Sequence, residues 1–244
     1  MQIGYGTNFD RCYDVLHGSL EKAAAKVTAP QLVFRAATER EDGHLGYQDG
    51  RLVIPRKRFL GSQAIFTDRP SCLVHGDMHG GNVMVELDGG RPEQALKRVC
   101  LIDYRNAGPA PRPLDVLALQ ASVRLSDAHA IAETASPNPA GHELAAVLRT
   151  AAQRVHAERR ILAETWRDDV ARATQHPATM RPPWERTTRT LTELLRANFQ
   201  DMQCDEYLAS AIPCALRQCS FDIGVVARVR MLAWLSAMYA QLGS

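Results

Sequence analysis

Apolar residues recur along this chain in two rhythms. Near the N-terminus, Phe9, Tyr13, Leu16, Leu20, Ala24 and Val27 return at steps of three and four, one face of an α-helix. Asn8 is placed to cap that helix and Pro30 to end it. Residues 31–37 form a second apolar piece whose type the pattern leaves open, and residues 38–51 read as an exposed loop. Three short runs follow, Cys72–Val74, Val83–Leu87 and Val99–Ile102, and their Val and Ile suit strands. Asp88-Gly89-Gly90-Arg91-Pro92 is a turn signal, so the second and third runs are expected to pair as a small β-hairpin.

From Pro113 the rhythm is helical almost to the end. Expected helices are Leu114–Leu125, Glu143–Ala171, Trp184–Met202, Asp205–Gln218 and Phe221–Leu242, with residues 134–142 as a loop and Pro177, Pro182 and Pro183 as breaks. The last of these is apolar on most faces and reads as a core helix. Trp166, Trp184 and Trp234 fall on helices as packing anchors. Glu158, Glu164, Asp168 and Asp169 are interspersed with Arg and read as a charged helix face. The pattern predicts an α+β fold, mostly α, with no internal repeat.

Composition changes this picture little. A hydrophobic fraction of 45% is enough for a packed core, and the net charge of +2 argues for neither a nucleic acid nor an acidic membrane surface as partner. No run of about 18 apolar residues is present to span a bilayer, and Met1-Gln2-Ile3-Gly4 lacks the pattern of a signal peptide. The cysteines (Cys12, Cys72, Cys100, Cys204, Cys214, Cys219) are scattered without a CxxC pair, as expected of reduced thiols in a cytoplasmic protein. Arg56-Lys57-Arg58 reads as a solvated basic cluster.

The candidate chemistry lies in His75-Gly76-Asp77-Met78-His79-Gly80-Gly81-Asn82 and in Leu101-Ile102-Asp103-Tyr104. Phosphoryl transfer asks a protein mainly to position metal ions and a nucleophile. Asp77, at the tip of a loop, has the chemistry to accept the proton of an attacking hydroxyl. Asn82 can offer a neutral amide oxygen to Mg, and Asp103, after a strand, a second carboxylate. Gly76, Gly80 and Gly81 allow a tight turn and a close approach of phosphate. The ring of His75 can bond backbone and fix the loop.

His75-Gly76-Asp77-x-His79-x-x-Asn82, then Ile102-Asp103, then Pro113-Leu114-Asp115, resembles the C-terminal lobe of the aminoglycoside/choline phosphotransferases, which share the protein-kinase-like fold. The resemblance covers residues 71–120. It implies one kinase-like C-lobe over residues 1–244, with residues 71–120 carrying the catalytic loop, hairpin and metal-ligand segment and residues 121–244 a helical subdomain. It implies ATP and Mg as cofactors and a small-molecule hydroxyl as phosphate acceptor. Asp77 would be the catalytic base, with His75 a further catalytic candidate; Asn82 and Asp103 would hold Mg; Asn82 and His79 would lie against the nucleotide; Asp115 would brace the loop. The chain also looks like kinase-like modules of bacterial signalling or conflict-system NTPases.

The nucleotide-gripping N-lobe is harder to find. Gly4-Tyr5-Gly6-Thr7-Asn8-Phe9 offers a GxGxxF pattern with Lys22 or Lys26 downstream, but helix periodicity follows it, not strand alternation. Five strands and their helices do not fit before Cys72. The N-lobe is therefore expected to be missing, reduced or supplied by a partner chain. The alternative function is a kinase-like binding or regulatory module without turnover. A third class is weighed from His75-x-Asp77-x-His79, which resembles the GDxHG start of calcineurin-like metallophosphatases; their later GNH[DE] is not found.

Overall fold

The computed structural model describes residues 9–25, 32–47, 50–56, 71–88, 96–132, 141–166, 182–219, 221 and 223–242. Its helices are α1 (Phe9–Ala25), α2 (Leu114–Ala132), α3 (Gly141–Trp166), α4 (Pro183–Asn198), α5 (Cys204–Cys219) and α6 (Gly224–Leu242). Its strands are β1 (Leu32–Arg35), β2 (Gly43–Tyr47), β3 (Gly50–Ile54), β4 (Ser71–Val74), β5 (Val83–Leu87), β6 (Leu96–Leu101) and β7 (Gly108–Pro111). The fold is α+β and mostly helical, and among the described residues no helix is long and apolar enough to cross a membrane.

The apolar last helix organises the packing. Every side chain of α6 from Val229 to Met238 is buried, and a helix without a wet face must be enclosed. α3, α5 and α2 pack round it, and β3 lies against it as well. α1 presents the face that its periodicity predicts, burying Cys12, Tyr13, Leu16 and Leu20, and packs on α5.

Two polar clusters inside this core are matched. Arg124 of α2 donates from Nε and Nη2 to the two carboxylate oxygens of Glu158 on α3, at 2.8 and 2.6 Å, and its guanidinium lies 4.0 Å from the ring centre of Trp234 on α6. Gln120 donates to Thr192 and accepts from the Tyr207 hydroxyl, tying α2 to α4 and α5. Burial pushes the pKa of that hydroxyl well above its ordinary value. Glu158 is thus a buried ion-pair partner and not part of a solvated face, and Glu164 pairs with Arg189. The sequence shows the alternation of signs but not which carboxylate turns inward.

Three small sheets stand beside the helices: β1–β2–β3, β4–β7 and β5–β6, all antiparallel. Within residues 31–37, Leu32–Arg35 form β1, and much of the expected loop at 38–51 is strand instead. Leu45 and Leu52 oppose each other and are buried. Glycines at 43, 46 and 50 dilute the alternation there, while Asp49-Gly50 is a hairpin signal that the loop reading passes over. β7, with Pro109 and Pro111, was unexpected because proline cannot donate to a ladder. Its register sets both prolines at alternate positions, opposite Leu73 and Ser71, where the pair needs no amide from them.

The expected hairpin forms as β5 and β6. Helix ends differ in detail: α2 runs on to Ala132, α4 stops at Asn198, short of Met202, and α6 starts at Gly224, past Phe221. Of the segment expected to be helical over Glu143–Ala171, α3 spans Gly141–Trp166, and residues 167–171 lie outside the described ones. The N-terminal glycine pattern, Asn8, Lys26, Lys57, Arg58 and the turn residues 89–92 lie there too.

One hydroxyl joins the three-stranded sheet to the core. β3 is an edge strand, and its Val53 turns N–H and C=O away from β2. Ser236 of α6 accepts from that N–H and donates to that C=O, both at 2.8 Å. Ser236→Ala is expected to leave two backbone groups unpaired and to lower the unfolding free energy by about 1–3 kcal/mol, read from urea denaturation. A midpoint equal to the parent's would remove Ser236 from this role.

Candidate functional site

The loop after β4 is built by its backbone. Asp115 sits in the first turn of α2, where a carboxylate suits the helix dipole. It accepts the amide of His75 on one oxygen (2.7 Å) and the amide of Gly76 on the other (3.0 Å). Gly76 has φ +81, and a Cβ there would overlap the carbonyl oxygen of Asn106. Glycine is therefore required both for the left-handed backbone and for the close approach of the turn that follows Asp103.

Two further contacts tie this loop to the end of β6, and a third closes the loop on itself. The buried ring of His75 donates from Nε2 to the Ile102 carbonyl at 2.7 Å; a carbonyl only accepts, so Nε2 carries the proton. The Ile102 amide donates to the Asn82 carbonyl at 3.1 Å. The Asn82 side chain, itself buried, donates from Nδ2 to the Asp77 carbonyl at 2.8 Å. Residues far apart in sequence are so brought together: His75, Asp77, Asn82 and Asp103 share one locus, braced by Asp115.

Asp103 is the one non-glycine residue with positive φ among the described residues (φ 61). Asp tolerates that region better than most side chains. Its carboxylate receives Nε and Nη2 of Arg105 at 2.7 and 2.8 Å. That pairing holds the Asp103 carboxyl below the usual carboxylate range, and Asp103 and Asp77 together raise the pKa of the Arg105 guanidinium. Arg105 is thus a charged member of the site that sequence reasoning missed. The signal available was only its place two residues past Asp103.

His79 plays a local part. Its Nδ1 accepts from the Gly81 amide at 3.1 Å and caps a single 3-10 turn over Gly80–Asn82. The Gly80 amide donates to Ser122 Oγ on α2 at 3.1 Å. The rings of His75 and His79 are therefore turned to different backbone groups, and among the described residues no three of His, Cys, Asp and Glu group to hold a metal ion. The loop system does carry hard-oxygen side chains, the carboxylates of Asp77 and Asp103 and the amide of Asn82, whose Nδ2 is given to the Asp77 carbonyl. Such oxygens suit Mg better than a transition metal.

The sequence spacing places all of these residues in one loop system, and the structure adds its hydrogen bonds. Set against protein-family models, curated proteins and solved structures, the chain matches none.

Asp115→Ala is expected to orphan the His75 and Gly76 amides and to cost about 1–3 kcal/mol of stability, read as a lower melting temperature; a melting point equal to the parent's would free Asp115 from the bracing role. Gly76→Ala is expected to cost at least about 1–2 kcal/mol for its left-handed backbone alone, with the overlap at Asn106 in addition. Denaturant unfolding checks it, and a stability within error of the parent's would refute it.

Proposed function

We propose that this chain is a kinase-like C-lobe whose site transfers the γ-phosphate of ATP, with Mg, to a hydroxyl of a small molecule. The observation that carries this reading is the pair of bonds from Ile102 to Asn82 and His75, which hold the loop bearing Asp77 against the strand end bearing Asp103. Asn82 supports it further: with Nδ2 given to the Asp77 carbonyl, Oδ1 is the atom left for a cation.

In this reading Asp103 and Asn82 Oδ1 would hold Mg, which when bound would offset the charge of the phosphates. Asp77 accepts the proton of the acceptor hydroxyl. His75 contributes position, because its ring is committed to Ile102, and His79 contributes the shape of the Gly80–Asn82 turn. Arg105 balances the charge of Asp103, and the pair is open to water, so the Asp103 carboxylate would be accessible to a cation.

A binding or regulatory module without turnover is the second reading, and a specific observation favours it. Val85 and Val99 are directly opposed in the hairpin, yet they are 54% and 49% exposed, and Leu96 is 60% exposed. An apolar sheet face in water marks a surface that meets something, here another chain of the assembly on which such a module docks. Of the described lysines, Lys97 pairs with Glu86 on the hairpin and Lys22 lies on α1, so the cation at Asp103 is an arginine.

Asp103→Asn decides between the readings. Calorimetric titration of ATP with Mg into the purified chain is expected to show binding that requires Mg and is abolished by this substitution, with the fold unchanged. Binding that persists in the variant would sink the metal role of Asp103. No binding to the folded parent would leave the module reading.

A further inference from the structure

An open cavity of about 350 Å³ lies against the same loop, between α2 and the start of α4. Leu119, Val123 and Trp184 give it apolar walls, Ser122, Ser126 and Thr187 give it hydroxyls, and Gly80 forms its edge. None of the residues lining it is charged. Its size falls in the range of small-molecule sites, about 300–1,000 Å³. The indole of Trp184 is steadied by the buried guanidinium of Arg154, 3.7 Å from the ring centre.

Two features connect this cavity to the site. Gly80 is three residues from Asp77, so their Cα atoms are no more than about 11 Å apart along the chain. The Gly80 amide is bonded to Ser122 Oγ, which also lines the cavity. A molecule seated here touches Gly80, on the loop that bears Asp77.

We propose that this cavity binds the phosphate acceptor, an uncharged alcohol with an aromatic or branched apolar body. The apolar walls take the body, and the hydroxyls of Ser122, Ser126 and Thr187 orient polar substituents. The missing carboxylates and the cation behind Trp184 disfavour an ammonium. The acceptor role rests on the phosphotransfer reading; the binding does not. In that role the acceptor's hydroxyl proton passes to the Asp77 carboxylate and its oxygen bonds to the γ-phosphorus. The bond from that phosphorus to the β–γ bridging oxygen breaks, and ADP leaves.

Fluorine NMR of 2-(4-fluorophenyl)ethanol, and of 2-(4-fluorophenyl)ethylamine as a cation of the same shape, together with 1H–15N NMR of the 15N-labelled whole chain, tests this. The alcohol is expected to bind and to move the Gly80 amide resonance, with the amine at least about tenfold weaker, a difference of about 1.4 kcal/mol. Ser126→Trp and Thr187→Trp fill the cavity from exposed positions, and each is expected to weaken the alcohol by at least about tenfold. No binding, equal binding of the amine, an unmoved Gly80 amide, or fillers without effect would each overturn the proposal. If the alcohol binds but Mg-ATP does not, the cavity stands as a site and the phosphotransfer reading falls. If Mg-ATP binds and the alcohol does not, the cavity proposal falls alone.

Discussion

A helix with no polar face has to be surrounded, and α6 is the constraint from which the rest follows. Enclosing it sets α2, α3 and α5 in place and draws β3 against it. The Arg124–Glu158 pair and its stacking on Trp234 then lock α2 to α3 and α6. A buried ion pair is weak evidence for net stability, but leaving one partner alone is costly. Such a pair therefore favours one arrangement of the three helices over its neighbours. The first turn of α2 is fixed by that arrangement, and with it Asp115.

From Asp115 outward the site is held by main-chain hydrogen bonds. The His75 and Gly76 amides, the Ile102 amide and carbonyl, and the Asn82 and Asp77 carbonyls are all engaged. The loop thus has a rigid backbone, while Asp77, Asp103 and Arg105 keep contact with water. That division suits a site that must hold its geometry and still exchange one charged partner for another. Gly76 is the weak point of the design, since the loop and the turn after Asp103 meet there without room for a side chain.

The β5–β6 hairpin shows the opposite economy. A two-stranded hairpin is marginal by itself, and this one exposes Val85, Val99 and Leu96. It stays in place because Asn82, just before it, and Ile102, just after it, are bonded to each other. Its apolar face is where the two functional readings part: a lobe of a larger catalytic unit, or a module that docks.

The sequence by itself determined the elements with strong periodicity and the residues with strong chemistry. The α1 face, the Val83–Leu87 strand and the apolar last helix were legible because side-chain spacing is local information. That His75, Asp77, Asn82, Asp103 and Asp115 come together was legible from their spacing around short strands and the start of a helix. Only the tertiary structure decided the strands at Gly43–Tyr47 and Gly108–Pro111, whose glycines and prolines argue against pairing until a partner strand is present. It alone turned Glu158 inward to Arg124, set Arg105 on Asp103, and joined Gly80 to Ser122 across 42 residues. These are choices among chemically equivalent side chains, and they are made by where the packed helices leave room, which no local pattern records.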